Sequence, residues 1–404
     1  MKTVQKLGLI ILLATFAISC KKSDEVTTKD ASSESAVEVA TESAKSDSSS
    51  ESYSDDDEPQ QQQIQAGQIT AGEWRDLNNW KFWNSLKQES EFSEMDKYWK
   101  YNLEKRISVN VKSDSENVID VPVKLLNSKN EIVWESRTNN KGNAELWPLM
   151  NNENQSSVKN MKIKIGDQIF EDIEFFEDKK VNKLELLENI NSNKKEKIDI
   201  AFMVDATGSM GDELEYLKEE LTDVISKVKN KNENATLNMA AVFYRDKGDD
   251  YVTKKSDFSS DISETVNFIN EQSADAGGDF PEAVETALSE SIEDLEWSKD
   301  ATSRILFLVL DAPPHYEDDI IVEIHDLIAL ASKKGIKIIP ISSSGIDKET
   351  EFLLRYMAIA TNGTYVFITN DSGIGNDHLV ASVGEYQVEM LNKLMVRLIN
   401  ESLE

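Results

Sequence analysis

The sequence predicts a doubly wound, mostly parallel α/β fold over residues 196–404, with a smaller β-sandwich before it. Three observations predict it. Ile198–Val204 (IDIAFMV) and Ile305–Leu310 are nearly continuous apolar runs, as expected of strands buried on both faces. Around them strand-like and helix-like patterns alternate, which makes a parallel sheet with helices on both faces. From about residue 105 to 190 the apolar period is instead two, with turn residues between short runs, the pattern of a sandwich.

The chain has 404 residues, room for two or three domains and a proper core. Its net charge of -31 argues against nucleic acid, because phosphate would be repelled. The sole cysteine is Cys20, so an intramolecular disulfide and a Cys-based metal site are excluded.

Residues 1–20 read as an export signal. Lys2 and Lys6 precede an apolar stretch, Leu7 to Ile18, that is short for a membrane span. The Ala17-Ile18-Ser19-Cys20 sequence resembles the lipobox of bacterial lipoproteins, which implies acylation of Cys20 and anchoring to a membrane through that lipid. An ordinary signal peptide with an incidental Cys is the alternative, and the position of the only Cys favours the lipoprotein. The charged start after Cys20 (KKSDE) is similar to export tags of surface lipoproteins in the Bacteroidetes. The expected location is therefore the cell envelope, on the outer membrane and facing outwards.

Residues 21–68 are rich in Ser, Asp, Glu, Lys and Gln and almost without large apolar side chains. Such a stretch cannot offset its chain entropy, so it predicts a disordered acidic tether. Residues 69–104 then gather Trp74, Trp80, Trp83 and Trp99. Trp80 and Trp83 share a helical face with Leu86 nearby, which predicts a helical segment packing on a neighbouring domain.

In the sandwich region, strands are expected at Ile107–Val111, Val121–Leu126, Ile132–Ser136, Ala144–Trp147, Met161–Ile165, Gln168–Phe175 and Val181–Leu187. The order of VPVKL and WESRTNNKGNAEL is similar to transthyretin-like or carboxypeptidase-regulatory-like modules, which implies a spacer or interaction role.

In the C-terminal region, further strands are expected at Leu237–Tyr244, Ile336–Ile341 and Thr364–Ile368. Helices are expected at Asp212–Val228, Ile262–Asn270, Pro281–Trp297, Ile320–Lys334, Lys348–Ala360 and Val383–Glu401. In open parallel sheets, ligands sit beyond the carboxyl ends of strands. After the first strand comes Asp205-Ala206-Thr207-Gly208-Ser209, after the central strand Asp311, and before the Pro281 helix Gly277-Gly278-Asp279. Three carboxylates and two hydroxyls are brought to one edge, and the carboxylates would repel one another without a cation. An all-oxygen donor set suits Mg²⁺, Ca²⁺ or Mn²⁺.

The Asp-x-Thr-Gly-Ser element resembles the metal-ion-dependent adhesion site of von Willebrand factor type A domains. Asp205, Thr207 and Ser209 match its first element and Asp311 (in LVLDAPPH) its later aspartate. With VFYRD and GGDFPEAVETAL, the stretch looks like the subfamily that includes the domain beside the α-kinases. The resemblance covers about half the chain and implies binding of a protein or other macromolecular ligand through the metal. Asp279 falls where the family usually has a threonine. A third aspartate would neutralise the metal more fully, favouring a stably held cation over recruitment of a partner's acid.

Asp246 (in YRDKGDD) is expected either to brace the site or to pair with Arg245 or cap a turn, and His315 to lie at its rim or on a surface loop. Glu282 is explained by its place at a helix head, where a carboxylate favours the dipole. His325 reads as structural. The Asp371–His378 loop carries no chemistry that its residues reveal. No phosphate loop, nucleophile elbow or His-based metal cluster is present. The enzymatic rival is a Mg²⁺-dependent phosphotransferase with Asp205 as nucleophile and Asp311 on the metal; Thr207 stands where such enzymes carry a second aspartate. A structural envelope protein with a stabilising cation is the third possibility.

Overall fold

The structure, a computed structural model, describes residues 64–89, 91–150, 158–176, 180–188 and 196–404. The predicted signal, Cys20 and the tether up to residue 63 lie outside the described residues. Among the described residues no helix is long and apolar enough to cross a membrane.

The first elements are strand β1 (Thr70–Trp74) and the short helices α1 (Trp80–Leu86) and α2 (Met95–Tyr98). Two four-stranded sheets follow. One holds β2 (Ile107–Ser113), β3 (Glu116–Asn117), β6 (Asn143–Leu146) and β9 (Asn182–Leu186). The other holds β4 (Pro122–Leu126), β5 (Ile132–Arg137), β7 (Lys162–Ile165) and β8 (Gln168–Phe170). Their alternating side chains, among them Val109, Val111, Val123, Leu125, Ile163 and Ile165, are buried.

The C-terminal part runs β10 (Lys197–Asp205), α3 (Leu214–Lys231), β11 (Thr236–Tyr244), β12 (Thr253–Ser259), α4 (Ile262–Asn270), α5 (Val284–Ser289), β13 (Ser303–Leu310), α6 (Asp318–Lys334), β14 (Ile336–Ser342), α7 (Lys348–Ala360), β15 (Tyr365–Ile368), β16 (Val388–Met390) and α8 (Leu391–Glu401). The sheet order is β12-β11-β10-β13-β14-β15-β1-β16. The five central strands are parallel, and β12, β1 and β16 pair antiparallel with their neighbours. One face packs on α3, α4 and α8; the other packs on α5, α6 and α7, and the same apolar cluster continues into the tryptophan-rich segment and the two small sheets. This is the predicted doubly wound α/β architecture with a smaller β-rich region before it.

Four local expectations are corrected. The segment 69–104 is helical only in part, because Thr70–Trp74 enters the main sheet between β15 and β16. The expected helix from Val383 starts only at Leu391, since Val388–Met390 pairs with β1 and satisfies its outer edge. The expected Pro281–Trp297 helix is confined to Val284–Ser289 and a wide turn over Glu290–Asp294. Strand β12 was not expected: TKKSDFS is a polar edge strand without apolar periodicity.

The tryptophans pack against the main domain. Trp83 stacks on Phe352 of α7 at 4.8 Å between centroids, and Trp99 Nε1 donates to Glu349 O at 2.9 Å. Ahead of β1, the N–H groups of Gly67, Gln68 and Ile69 all donate to Glu220 Oε1 of α3. The last residues of the predicted tether are thus pinned to the domain.

Candidate metal centre

Strands β10 and β13 are parallel neighbours, with Val204 opposite Val309. Asp205 ends one strand and Asp311 follows the other, so the parallel pairing brings both carboxyls to one edge. Asp205 is fully buried and Asp311 is 4% exposed. The Thr207 N–H and Oγ1 both donate to Asp205 Oδ1, at 2.9 and 2.7 Å. Thr207 Oγ1 lies 3.1 Å from Ser209 Oγ. The Ser209 hydroxyl in turn stabilises the Asp311 carboxylate. Asp205, Thr207, Ser209 and Asp311 therefore form one continuous group, buried below and opening to solvent at the exposed Ser209.

The loop carrying them is clamped from the side. Gly208 N–H donates to Ala276 O and Asp275 N–H donates to Ala206 O. Arg245 ties Ala206 O and Ser273 O together. Gly277 has φ +70°, and a Cβ there would lie 3.0 Å from Glu282 Oε1 and 3.1 Å from Thr207 Cβ. Only glycine lets these loops approach so closely.

That clamp brings Glu282 to the cluster. Glu282 is 3% exposed and forms an isolated parallel bridge with Pro314, its N–H donating to Pro313 O. It precedes α5 instead of heading it, so a helix-dipole role does not explain it. Asp279 lies exposed on the loop three residues earlier, outside these contacts. The structure does not bring it to the group, and the expected third aspartate is replaced in position by Glu282. The sequence signal was the GGDFPE stretch itself: Pro281 holds the preceding backbone extended, which a helical reading overlooks.

Burial pushes the Asp205 and Asp311 carboxyls upwards, each also raised by a neighbouring carboxylate: Asp246 acts on Asp205, and Asp205 acts on Asp311. Glu282 is pushed up to about 9, by burial first and then by Asp205, Asp246, Asp311 and Asp249. Asp205 Oδ2, Asp311 Oδ1 and Glu282 Oε2 are buried without a hydrogen-bond partner. The Tyr244 hydroxyl stands beside Asp205 but forms no well-directed hydrogen bond. Orphaned buried carboxylate oxygens of this kind are what a hard cation satisfies. Among the described residues no three His, Cys, Asp or Glu side chains gather closely enough to chelate an ion by themselves. The donor set that fits a cation is therefore mixed, two carboxylates and two hydroxyls, with Glu282 alongside.

Asp246 and His315 meet at the rim, His315 Nε2 lying 2.8 Å from Asp246 Oδ1. Asp246 N–H and Gly277 N–H both donate to Asp249 Oδ2, which joins this rim to the glycine loop. Glu213 and His378 are additions that sequence reasoning missed. Glu213 raises Asp311 through space, accepts from Ser344 N–H and lies 2.8 Å from His378 Nε2. The Asp371–His378 loop is thus fastened behind the cluster. His325 is structural as expected, its Nε2 2.8 Å from Trp99 O and its ring stacked on Tyr101.

Residues 199–377 match the family model described as the von Willebrand factor type A domain. Over 135 residues the chain is 34% identical to a putative ariadne-like RING finger protein, R811, of Acanthamoeba polyphaga mimivirus, covering 32% of this chain and 13% of that protein. Over 121 residues it is 29% identical to the α-protein kinase vwkA of Dictyostelium discoideum, covering 29% of this chain and 19% of the kinase. The chain thus spans less than a fifth of either relative. Among solved structures, the conserved hypothetical protein BatB from Bacteroides thetaiotaomicron aligns at 13% identity and TM-score 0.36, covering 51% of this chain and 98% of that one. An aerotolerance-related membrane protein from Bacteroides fragilis NCTC 9343 with multiple mutations to serines aligns at 14% identity and TM-score 0.34, with the same coverage of 51% and 98%. Residues 199–377 are a von Willebrand factor type A domain.

Proposed function

We propose that this protein is a lipid-anchored component of a bacterial cell envelope that holds a divalent cation and through it engages another macromolecule. Asp205, Thr207, Ser209 and Asp311 would hold the ion, with Glu282 beside it. The ion is Mg²⁺, or Ca²⁺ or Mn²⁺, since all the donors are oxygens. When bound, it would supply a positive charge able to take an acidic group of a partner at the exposed Ser209 side. The observation that carries this reading is the set of buried, unpartnered oxygens of Asp205, Asp311 and Glu282. Domains of this type commonly mediate protein interaction. Anchoring rests on the sequence around Cys20 and on the acidic stretch that follows it.

Glu282 changes the expectation about charge. The third acid stands beside the two-carboxylate, two-hydroxyl group, at a place where burial favours its protonated form. That preference belongs to the metal-free fold: a bound cation would favour ionised Glu282, whose charge would lessen the ion's demand for a partner's carboxylate. The phosphotransferase alternative gains no support: Asp205 is fully buried and one of its oxygens accepts two hydrogen bonds from Thr207, which restrains it from in-line attack.

Two experiments test the proposal. Binding of purified Cys20→Ala protein, which lacks the acylation site, to isolated envelopes should require Mg²⁺ and disappear with chelator and on adding Asp311→Ala; binding indifferent to chelator would contradict the metal-mediated role. Metabolic labelling with a radioactive fatty acid should mark the wild type and not Cys20→Ala. An unlabelled wild type would remove the anchor.

A further inference from the structure

We infer that the cavity between the β-module and the base of the main sheet is a binding site for a small soluble oxyanion, a ligand presenting a phosphate or carboxylate group. The cavity has a volume of about 440 Å³, within the roughly 300–1,000 Å³ range of small-ligand sites. It lies at the opposite pole from Asp205 and Asp311, since Lys337 is the second residue of β14 while those aspartates follow the carboxyl ends of the neighbouring parallel strands. The asparagine-rich turn of the β-module forms one wall, and the start of β14 and the end of α8 form the others.

In a chain of net charge -31 the cavity gathers Arg75, Lys141, Lys337 and Arg397 against only Glu73 and Glu401. Arg397 is taken up by Glu73, Glu389 and Glu401. Arg75 and Lys337 end on neutral partners instead. Arg75 Nη2 donates to Asn362 Oδ1 at 2.5 Å, and Lys337 Nζ donates to Ser402 Oγ at 3.2 Å. Both side chains are half-buried. Burial holds Arg75 below its ordinary value against the pull of Glu145, Glu73 and Glu401. Lys337 is pushed down to about 7, by burial first and then by Arg75 and Lys141. Neither forms an ion pair, Glu73, Glu145 and Glu401 acting on Arg75 and Glu401 on Lys337 only through space, and cations buried in this way are costly. An oxyanion between them would offset that cost, taking the guanidinium fork and the ammonium together. The reading is independent of the metal centre.

The test uses the full chain, with chelator present so that the metal pole plays no part. Lys337 should be a reactive amine near neutral pH, and its acylation by an amine-specific reagent is read by peptide mass spectrometry at fixed ionic strength. Inorganic phosphate is one probe and citrate the other. At millimolar concentration, at least one should slow Lys337 acylation ten-fold or more while leaving the exposed Lys129 unchanged. Protection by phosphate alone or by citrate alone assigns the ligand class. In Arg75→Gln, the concentration giving half protection should rise at least ten-fold. Lys337 acylated at the same rate with and without both anions would overturn the inference, and so would protection undiminished in a folded Arg75→Gln. Should that variant not fold, the wild-type comparison decides alone.

Discussion

Asp76 and Glu351 are buried against Arg355, whereas Asp205, Asp311 and Glu282 are buried against one another. In the first cluster Arg355 Nη2 and Nε reach Asp76 at 2.6 and 2.9 Å, and Nη1 reaches Glu351 Oε1 at 3.3 Å. All three side chains are almost wholly inaccessible, and Arg355 of α7 thereby ties Asp76 of the tryptophan-rich segment to the helix. The chain supplies the counter-charge there, so the cluster is complete within the fold. In the second cluster the nearby groups are more carboxylates, and three oxygens have no partner. This contrast, similar burial with opposite pairing, is what the proposed cation site rests on.

The largest effect that would break this contrast lies in the paired cluster. Arg355→Met leaves buried Asp76 without its counter-charge, although Glu351 keeps Lys348 at 3.0 Å, and should cost about 3–5 kcal/mol, read as a lower urea midpoint. A loss below about 1 kcal/mol would mean that the arginine does not complete its cluster. In the unpaired cluster, removal of charge should act the other way. In chelator at pH 8, Glu282→Gln should raise stability by about 1 kcal/mol, because it removes a carboxyl whose ionised form burial disfavours. Destabilisation by that change would assign Glu282 a structural bond instead.

The pH dependence sharpens the contrast further. A carboxyl raised in the folded state contributes stability fully present below its unfolded value, near 4, and lost as pH climbs through the folded value. Asp205, Asp311 and Glu282 are all raised, Glu282 to about 9. The chelated protein should therefore lose stability steadily between about pH 5 and pH 9, and Asp205→Asn should flatten that slope. Melting temperatures across this range, with and without the substitution, check it. The smallest expected effect is at Asp279. Asp279→Asn should shift stability by no more than about 0.5 kcal/mol and leave any cation response unchanged, as befits an exposed side chain outside the group.

Much of this was legible in the sequence because parallel βα alternation has a direction. Once IDIAFMV and ILFLVL are read as adjacent parallel strands, Asp205 and Asp311 must emerge at the same edge, and Thr207 and Ser209 follow on the same loop. Glu282 was not legible. Whether Asp279 or Glu282 faces inward depends on how the chain leaves Gly277 at φ +70° and on an extended bridge to Pro314, neither of which apolar periodicity encodes. The same limit hid β1, β12 and β16. Those strands exist because sheet edges offer backbone hydrogen bonds, and a run such as TAGEW or TKKSDFS carries little pattern of its own. Trp83 and Trp99 were legible as a packing stripe, though not as a continuation of a segment that completes the sheet.

The most direct test is a thermal melt of the metal-stripped protein with increasing Mg²⁺, wild type beside Asp205→Ala. A cation that binds only the folded form adds about 2.7 kcal/mol at a hundred times its Kd, so the wild-type melting temperature should rise with Mg²⁺ and the variant's should not. Identical wild-type melts with and without Mg²⁺, Ca²⁺ and Mn²⁺, in protein that elemental analysis finds free of metal, would contradict a cation site at Asp205 and Asp311.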